Sequence, residues 1–211
     1  MGRFVTFEGC EGCGKTTQIG LASSWLKERG IAVIETAEPG GTTLGAMIRN
    51  LLLNRSTCAI GAEAELLLFA AARAQHVRET IGPALESGHW VLCDRFTDAT
   101  IVYQGFGRGI DTGFIRTLNT FSTSSLVPEM TLLFDLPVTT GLERAEKRAS
   151  VGPPERAEDR FEREDHAFHA RIREGYLTLA AGEPGRFRII DGAADVGSVH
   201  REICRHLAEL F

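Results

Sequence analysis

Short apolar runs alternate along the chain with longer stretches in which apolar residues recur every three or four positions. The apolar runs predict strands, and they are RFVTFE from Arg3, IAVIET from Ile31, HWVLCD from His89, MTLLFDL from Met130 and RFRIIDG from Arg186. The longer stretches have the period of a helix. Strands that alternate with helices form parallel sheets whose two faces are covered. The pattern therefore predicts a doubly wound α/β fold with a five-stranded parallel sheet flanked by helices.

Several of the predicted helices are long. AEAELLLFAAARAQHVRETIGPALESG predicts one helix over residues 62–88, with Pro83 near its end, and FEREDHAFHARIREGYLTLAAG predicts another from Phe161. ATIVYQGFGRG, from Ala99, predicts a shorter helix that ends at its glycines. The polar segment at about 150–160 has two prolines and several charges, which is typical of an exposed loop. The chain has no repeat and no linker, so one domain over residues 1–211 is predicted.

The composition disfavours several classes of protein. The net charge of −5 argues against non-specific nucleic-acid binding. The longest apolar run, LLLFAAARA, is broken by Arg73 and is too short to cross a bilayer, so no membrane segment is predicted. The five cysteines are an odd number without the spacing of a disulfide framework, which fits a reducing, cytoplasmic compartment.

The segment GCEGCGKTT, which follows the first strand, has the spacing G-x-x-x-x-G-K-[ST]. Between a buried strand and a helix, this spacing is typical of a loop whose backbone N–H groups surround phosphate, with the positive end of the helix dipole behind them. Lys15 is predicted to reach the terminal phosphates of ATP, and the Thr16 hydroxyl is predicted to bind Mg²⁺. The predicted ATP contacts are Gly9, Cys10, Glu11, Gly12, Cys13, Gly14, Lys15, Thr16 and Thr17.

The same segment contains a C-x-x-C pair, Cys10 and Cys13, which allows redox or zinc chemistry as an alternative. A zinc site needs two further ligands at suitable spacing, and the sequence contains no second C-x-x-C to supply them. The phosphate-loop interpretation is therefore preferred. A guanine-specific switch is also disfavoured, because neither D-x-x-G nor N-K-x-D occurs in the sequence.

A series of motifs resembles, in order and spacing, thymidylate kinases of the bacterial type. These motifs are FEGCEGCGKTT, EPGGT, FAAARAQH, CDRFTDATIVYQG and DRFE followed by FHARIREGY, and they extend from about Val5 to Tyr176. The resemblance implies a P-loop NTPase fold with a lid at about residues 150–160. It also implies a homodimer that transfers the γ-phosphoryl group of Mg-ATP to dTMP, giving dTDP for dTTP synthesis.

The resemblance also implies a set of phosphate-binding arginines. In this family the arginine of the D-R motif holds the acceptor's phosphate, a role that falls to Arg95. The phosphate loop carries no arginine here, which matches the family type that delivers its catalytic arginines from the lid, in this chain Arg156 and Arg160. The implied catalytic set is Lys15, Arg95, Arg156 and Arg160.

The acceptor pocket is implied in the same way. Phe69 resembles the aromatic residue that stacks on thymine, Arg73 the donor to a thymine carbonyl, and Tyr103 the residue that crowds the ribose 2′ position. The other implied acceptor contacts are Thr100 and Gln104 at the base edge, Glu11 near the sugar, Arg49 as a second phosphate clamp, and Glu38 and Pro39 from EPGGT. The resemblance implies that Asp94 supports the Mg²⁺ bound by Thr16.

Alternatives remain open from the residues alone. Phe69 on an apolar helix is also typical of a core residue, and the chain is also compatible with a kinase for dUMP or dGMP or with a module that senses ATP without turnover. Three features depart from the family pattern. Ala37 stands where arginine is usual before EPGG, Phe96 stands where Tyr or His is usual after D-R, and the paired cysteines are uncommon in the phosphate loop.

Overall fold

The computed structural model describes residues 2–53, 59–151 and 160–211. Its strands are β1 (Phe4–Gly9), β2 (Val33–Ala37), β3 (Trp90–Asp94), β4 (Met130–Asp135) and β5 (Phe187–Asp191). Over the described residues they form one five-stranded sheet in the order β2-β3-β1-β4-β5, and every neighbouring pair is parallel. This order confirms the predicted doubly wound α/β fold.

Helices cover the sheet and connect its strands. They are α1 (Lys15–Lys27), α2 (Thr43–Leu53), α3 (Ala62–His76), α4 (Gly82–Glu86), α5 (Thr97–Thr100), α6 (Thr112–Thr123), α7 (Val138–Val151), α8 (His166–Gly182) and α9 (Val196–Leu207). A 3₁₀ turn, Ala208–Leu210, ends the chain. Among the described residues, none of these helices is both long and apolar enough to span a membrane.

The central strand β1 is buried along its whole length. The side chains on one face of the strand are apolar, and those on the other face include polar residues. Val5 and Phe7 pack in the core cluster that α1 and α9 complete. Thr6, the residue between them in sequence, is polar, and its hydroxyl is hydrogen-bonded to the Thr131 hydroxyl of β4 at 2.8 Å. Successive side chains of a strand point to opposite faces, so Glu8, which follows Phe7, is buried on the polar side. This alternation places a carboxylate inside the molecule directly before the phosphate loop.

Two of the predicted helices contain π-helical segments. The helix predicted over residues 62–88 is wrong as one regular element, because α3 gives way to a π-helical segment, Val77–Ile81, before α4 begins. Pro83 cannot donate a backbone hydrogen bond and crowds the preceding turn, which a locally wider helix accommodates. In the helix predicted from Ala99, α5 likewise continues as a π-helical segment, Ile101–Gly107.

The helix predicted from Phe161 begins later than expected. Residues 160–163 form turns, and α8 starts only at His166. Asp165 caps the helix, because its carboxylate accepts a hydrogen bond of 2.6 Å from the Phe168 N–H. Most of the predicted loop at about 150–160 lies outside the described residues.

The phosphate loop depends on a glycine at one close approach. Gly12 has a φ of 67°, and a Cβ there would lie 2.0 Å from the carbonyl oxygen of Gly141 in α7. Any side chain at this position would push the loop away from α7. The loop at the carboxyl end of β1 is thereby held against the helix that leads to the predicted lid.

Candidate active site

Lys15 is enclosed by the phosphate loop that precedes it. Its ammonium group donates to the carbonyl oxygens of Gly9 and Cys10, both at 3.0 Å, and lies 3.3 Å from the Cys13 sulfur. Burial by itself lowers the pKa of Lys15, but the nearby Cys13, Asp94 and Glu11 raise it, and the net pKa is raised. The amino group therefore stays a cation inside the loop. No side chain caps the start of α1, so the amides at this helix end remain available to an anion.

Thr16 and Asp94 bring two oxygen ligands together beside Lys15. Asp94 ends β3, and the Thr16 hydroxyl donates to its carboxylate at 3.4 Å. Hard cations such as Mg²⁺ prefer oxygen ligands and are held by one or two carboxylates together with substrate phosphates. Among the described residues no cluster of three or more His, Cys, Asp or Glu side chains forms a closed metal site. The pair therefore fits a cation shared with a bound phosphate.

Arg95 lies at the centre of a hydrogen-bond network next to the phosphate loop. Its guanidinium donates to the Gly9 carbonyl at 3.0 Å, to the Tyr176 hydroxyl at 3.2 Å and to the Glu11 carboxylate at 2.5 Å. The backbone of Arg95 is left-handed, with a φ of 66°, which is uncommon for a residue with a side chain. The hydrogen bonds to these three partners hold the side chain in place on this left-handed backbone.

Glu11 is bound from several sides at the same place. Besides Arg95, the Tyr103 hydroxyl donates to its Oε1 at 2.9 Å. Burial alone would raise the pKa of Glu11, but Arg95, Lys15 and the Tyr103 hydroxyl together lower it to about 2. Glu11 is therefore ionised and links the phosphate-loop lysine, the D-R arginine and the tyrosine of the Y-Q-G motif.

Glu8 is joined to this network through the Tyr176 hydroxyl, and the sequence analysis missed it. Its carboxylate accepts hydrogen bonds of 2.7 Å from the Phe96 N–H and from the Tyr176 hydroxyl. Burial and the nearby Asp98 raise the pKa of Glu8 to about 7, against the lowering effect of Arg95. Glu8 is the one charged residue of β1, and a lone charge in a buried strand was the signal in the sequence that could have identified it.

Arg73 is buried and holds the wall of the predicted acceptor pocket. Its Nε donates to Glu38 at 2.7 Å, one Nη donates to Asn119 at 2.7 Å, and the other donates to the Thr100 hydroxyl at 2.7 Å and the Phe96 carbonyl at 3.0 Å. Four of the five N–H groups of the guanidinium are thus engaged within the protein. Among the described residues, no acceptor binds the remaining N–H, which is on the nitrogen that donates to Asn119.

One cleft of about 1180 Å³ joins the phosphate loop to this pocket. All of the predicted acceptor contacts line it, and these are Glu11, Glu38, Pro39, Arg49, Phe69, Arg73, Arg95, Thr100, Tyr103 and Gln104. Lys15, Thr16 and Asp94 line it as well, whereas Gly9 and Cys10 do not. The structure therefore brings the predicted phosphate, metal and acceptor residues into a single space.

The lid arginines are placed differently. Arg156 lies outside the described residues. Arg160 is described, but its guanidinium contacts the carboxylate of Glu65 at 2.5 Å, and it does not appear among the described residues that line the cleft. Two arginines that the sequence analysis missed do line the cleft, Arg144 and Arg148, one turn apart on α7. Their four-residue spacing on the helix before the lid was the available signal.

Residues 7–203 match a family model described as Thymidylate kinase. The chain belongs to the thymidylate kinase family. A relative named "Thymidylate kinase" from Syntrophus aciditrophicus is 61% identical over 98% of this chain and 94% of its own length. Another, from Geobacter sulfurreducens, is 55% identical over 91% of this chain and 90% of its own length. Membership confirms the resemblance that the motifs indicated.

A solved structure gives the same result for the fold. The crystal structure of thymidylate kinase from Ehrlichia chaffeensis superposes with a TM-score of 0.77 at 34% sequence identity, covering 98% of both chains. The P-loop NTPase fold predicted for this family is therefore confirmed over nearly the whole length.

Proposed function

We propose that this protein transfers the γ-phosphoryl group of ATP to dTMP, giving dTDP for dTTP synthesis. The observation that carries the proposal is the single cleft, because it contains both a phosphate loop with its lysine and a second set of residues suited to a nucleoside monophosphate. The relatives named thymidylate kinase support the same acceptor. A module that only senses ATP would not need the second set.

Phosphoryl transfer requires alignment of donor and acceptor and positive charge where negative charge develops. Lys15 and the amides at the start of α1 would hold the terminal phosphates of ATP. Arg95 would hold the phosphate of dTMP, since its position next to the Gly9 carbonyl puts it beside the same loop. The two phosphates would thereby be brought together between two fixed cations.

Thr16 and Asp94 would hold Mg²⁺, which neutralises charge on the phosphates when it is bound. Their oxygens already lie within hydrogen-bond distance of each other, so no rearrangement of these two residues is needed to present them to one cation. Glu11 would remain an acceptor near the sugar, because its network keeps it ionised.

The base would lie between Phe69, as a stacking surface, and the polar edge made by Arg73, Thr100 and Gln104. Stacking of a base on an aromatic side chain contributes about 1–3 kcal/mol. Tyr103, fixed by its hydrogen bond to Glu11, would crowd the ribose 2′ position and favour deoxynucleotides.

The lid arginines Arg156 and Arg160 would approach the phosphoryl group in transfer. In the structure Arg160 is paired with Glu65, so it would exchange that carboxylate for the phosphoryl group as the lid closes. An arginine in this role contributes roughly 10³–10⁵ to turnover in related systems.

We also propose a homodimer in the cytoplasm. Large apolar side chains are exposed on three helices that pack side by side, α2, α3 and α6, and they are Leu44, Met47, Leu67, Phe114 and Phe121. A second copy would cover them. The described cysteines are free thiols, which fits a reducing compartment. Light scattering of the protein and of Phe121→Asp tests the dimer, and a wild-type monomer would contradict it.

The deciding experiment is a coupled ADP-release assay with Mg-ATP and, side by side, dTMP, dUMP, UMP and dGMP. Strong preference for dTMP is expected. Preference for dUMP or dGMP would keep the phosphate chemistry but refute the base pocket as described. No turnover with any acceptor would instead favour the ATP-sensing module.

A further inference from the structure

Glu65 is a carboxylate with 1% of its surface exposed, and it lies behind Gln104, a residue that lines the cleft. Its Oε1 accepts a hydrogen bond of 2.7 Å from Nε2 of Gln104 and one of 3.3 Å from Nε of Arg108. Its Oε2 accepts from Arg160 at 2.5 Å. Nothing in the chemistry of phosphoryl transfer requires a carboxylate here, so its burial among these donors calls for another explanation.

The contact with Gln104 fixes which way the side-chain amide is turned. A carboxylate paired with two guanidinium groups only accepts hydrogen bonds, so the amide must present its NH₂ group to Glu65. The amide oxygen of Gln104 then lies on the other arm of the amide, in a residue that lines the cleft. Among the described residues, no donor is bonded to this oxygen. It is therefore an acceptor left for a ligand.

Gln104 thus complements one kind of pyrimidine. Thymine and uracil carry a donor at N3 beside the carbonyl oxygen O4, whereas cytosine carries an acceptor at N3 beside an amino group. The amide oxygen of Gln104 matches the N3–H, and the remaining N–H of Arg73 matches O4. With cytosine, the N3 acceptor would meet the Gln104 oxygen, which is also an acceptor. Its amino group would meet the Arg73 N–H, which is also a donor.

We propose that Glu65 is a specificity-determining positioning residue, which holds the Gln104 amide so that the pocket selects a base with N3–H and rejects cytosine. This inference rests on the proposed function. Gln104 cannot adapt to cytosine by turning over, because its oxygen would then meet the oxygen of Glu65. Either orientation leaves buried polar atoms unpaired, and such mismatches discriminate between substrates by large factors.

The test compares the ratio of kcat/KM for dTMP to that for dCMP in the wild type and in Glu65→Gln. Glutamine has the same shape but can offer either an oxygen or an NH₂ group to Gln104, so the amide is free to turn. The dTMP/dCMP ratio is expected to fall by roughly 10-fold or more. Loss of the Arg160 contact, or general damage, would lower kcat for both substrates and leave the ratio unchanged.

Arg108→Met is the matched control. It removes a contact to the same carboxylate oxygen but leaves the acceptor that Gln104 needs, so its dTMP/dCMP ratio should equal that of the wild type. A ratio in Glu65→Gln that also equals the wild-type ratio would overturn the proposal. So would an equal loss of the ratio in Arg108→Met.

Gln104→Met provides a second test if Glu65→Gln does not fold. It removes the amide itself, and the ratio is expected to fall as in Glu65→Gln, whereas an unchanged ratio would overturn the proposal. Calorimetric titration of each variant with dTMP and dCMP, without ATP, measures the same preference in binding. A wild type that lacks turnover but prefers dTMP in binding, with that preference reduced in Glu65→Gln, would refute the proposed function while supporting the role of Glu65.

Discussion

Glu8 should make the stability of the protein depend on pH in a direction opposite to that of most carboxylates. Its pKa is raised from 4.5 to about 7, first by burial and then by Asp98. Between these values the folded state binds a proton that the unfolded state has released. The free energy of unfolding therefore falls as the pH rises through this window, and the stabilisation is fully present only below the unfolded pKa.

The magnitude follows from the size of the shift. Each unit of pKa difference corresponds to about 1.4 kcal/mol, so the contribution of Glu8 falls by roughly 2–3 kcal/mol between about pH 5 and about pH 8. Glu11 has the opposite sign, because its pKa is lowered, and it stabilises the fold above pH 4.5. The pH dependence of the unfolding free energy of the wild type contains both contributions, so a variant is needed to isolate that of Glu8.

Glu8→Gln provides that comparison, since glutamine can still accept the Phe96 N–H but does not titrate. In urea unfolding, the free energy of unfolding of the wild type should fall by roughly 2–3 kcal/mol relative to that of Glu8→Gln as the pH rises across this range. Glu28→Gln, at the exposed end of α1, should follow the wild type. Parallel curves for the wild type and Glu8→Gln would refute the reasoning.

Three further predictions concern the phosphate loop, the lid and the core. Lys15→Met should lower kcat by at least roughly 10³-fold with unchanged circular dichroism, because a buried cation at the phosphates is lost; turnover near the wild-type level would rule out its role. Arg160→Ala should lower kcat by roughly 10³-fold while the Kd for dTMP, measured by calorimetry, changes little, and unchanged turnover would exclude the lid mechanism. Leu132→Ala, in the fully buried part of β4, should cost about 2–5 kcal/mol in urea unfolding, and a loss below about 1 kcal/mol would contradict the described packing.

The apolar pattern predicted the sheet and the place of the phosphate loop, whereas the acceptor residues of the cleft were implied by the resemblance to thymidylate kinases. Each strand is a short apolar run, and parallel strands end at one edge of a sheet, so motifs that follow strands must meet there. Asp94, which ends β3, and Arg95, which follows it, are therefore expected beside the loop after β1 whatever the rest of the structure is. The roles of the individual residues, the single-domain organisation and the homodimer stay predictions.

What the sequence did not predict depends on distant contacts. Glu8 and Tyr176 are 168 positions apart, and no local period connects them. Arg160 and Glu65 are 95 positions apart, so the motif DRFE alone could not predict that Glu65 is the partner of Arg160. The π-helical segments require only a shift of one residue in the hydrogen bonding, which apolar periodicity does not register.

The left-handed backbone of Arg95 has a consequence for how this protein can change over time. A residue with a side chain pays about 1 kcal/mol or more for this conformation, whereas glycine adopts it freely. Glycine would remove this cost, but it would also leave the Glu11 carboxylate without its guanidinium partner, which is the larger loss. In a library selected only for survival at high temperature, position 95 should therefore stay arginine, as it should in a library selected for growth that depends on the enzyme. Heat tolerance and turnover thus select the same amino acid at this position.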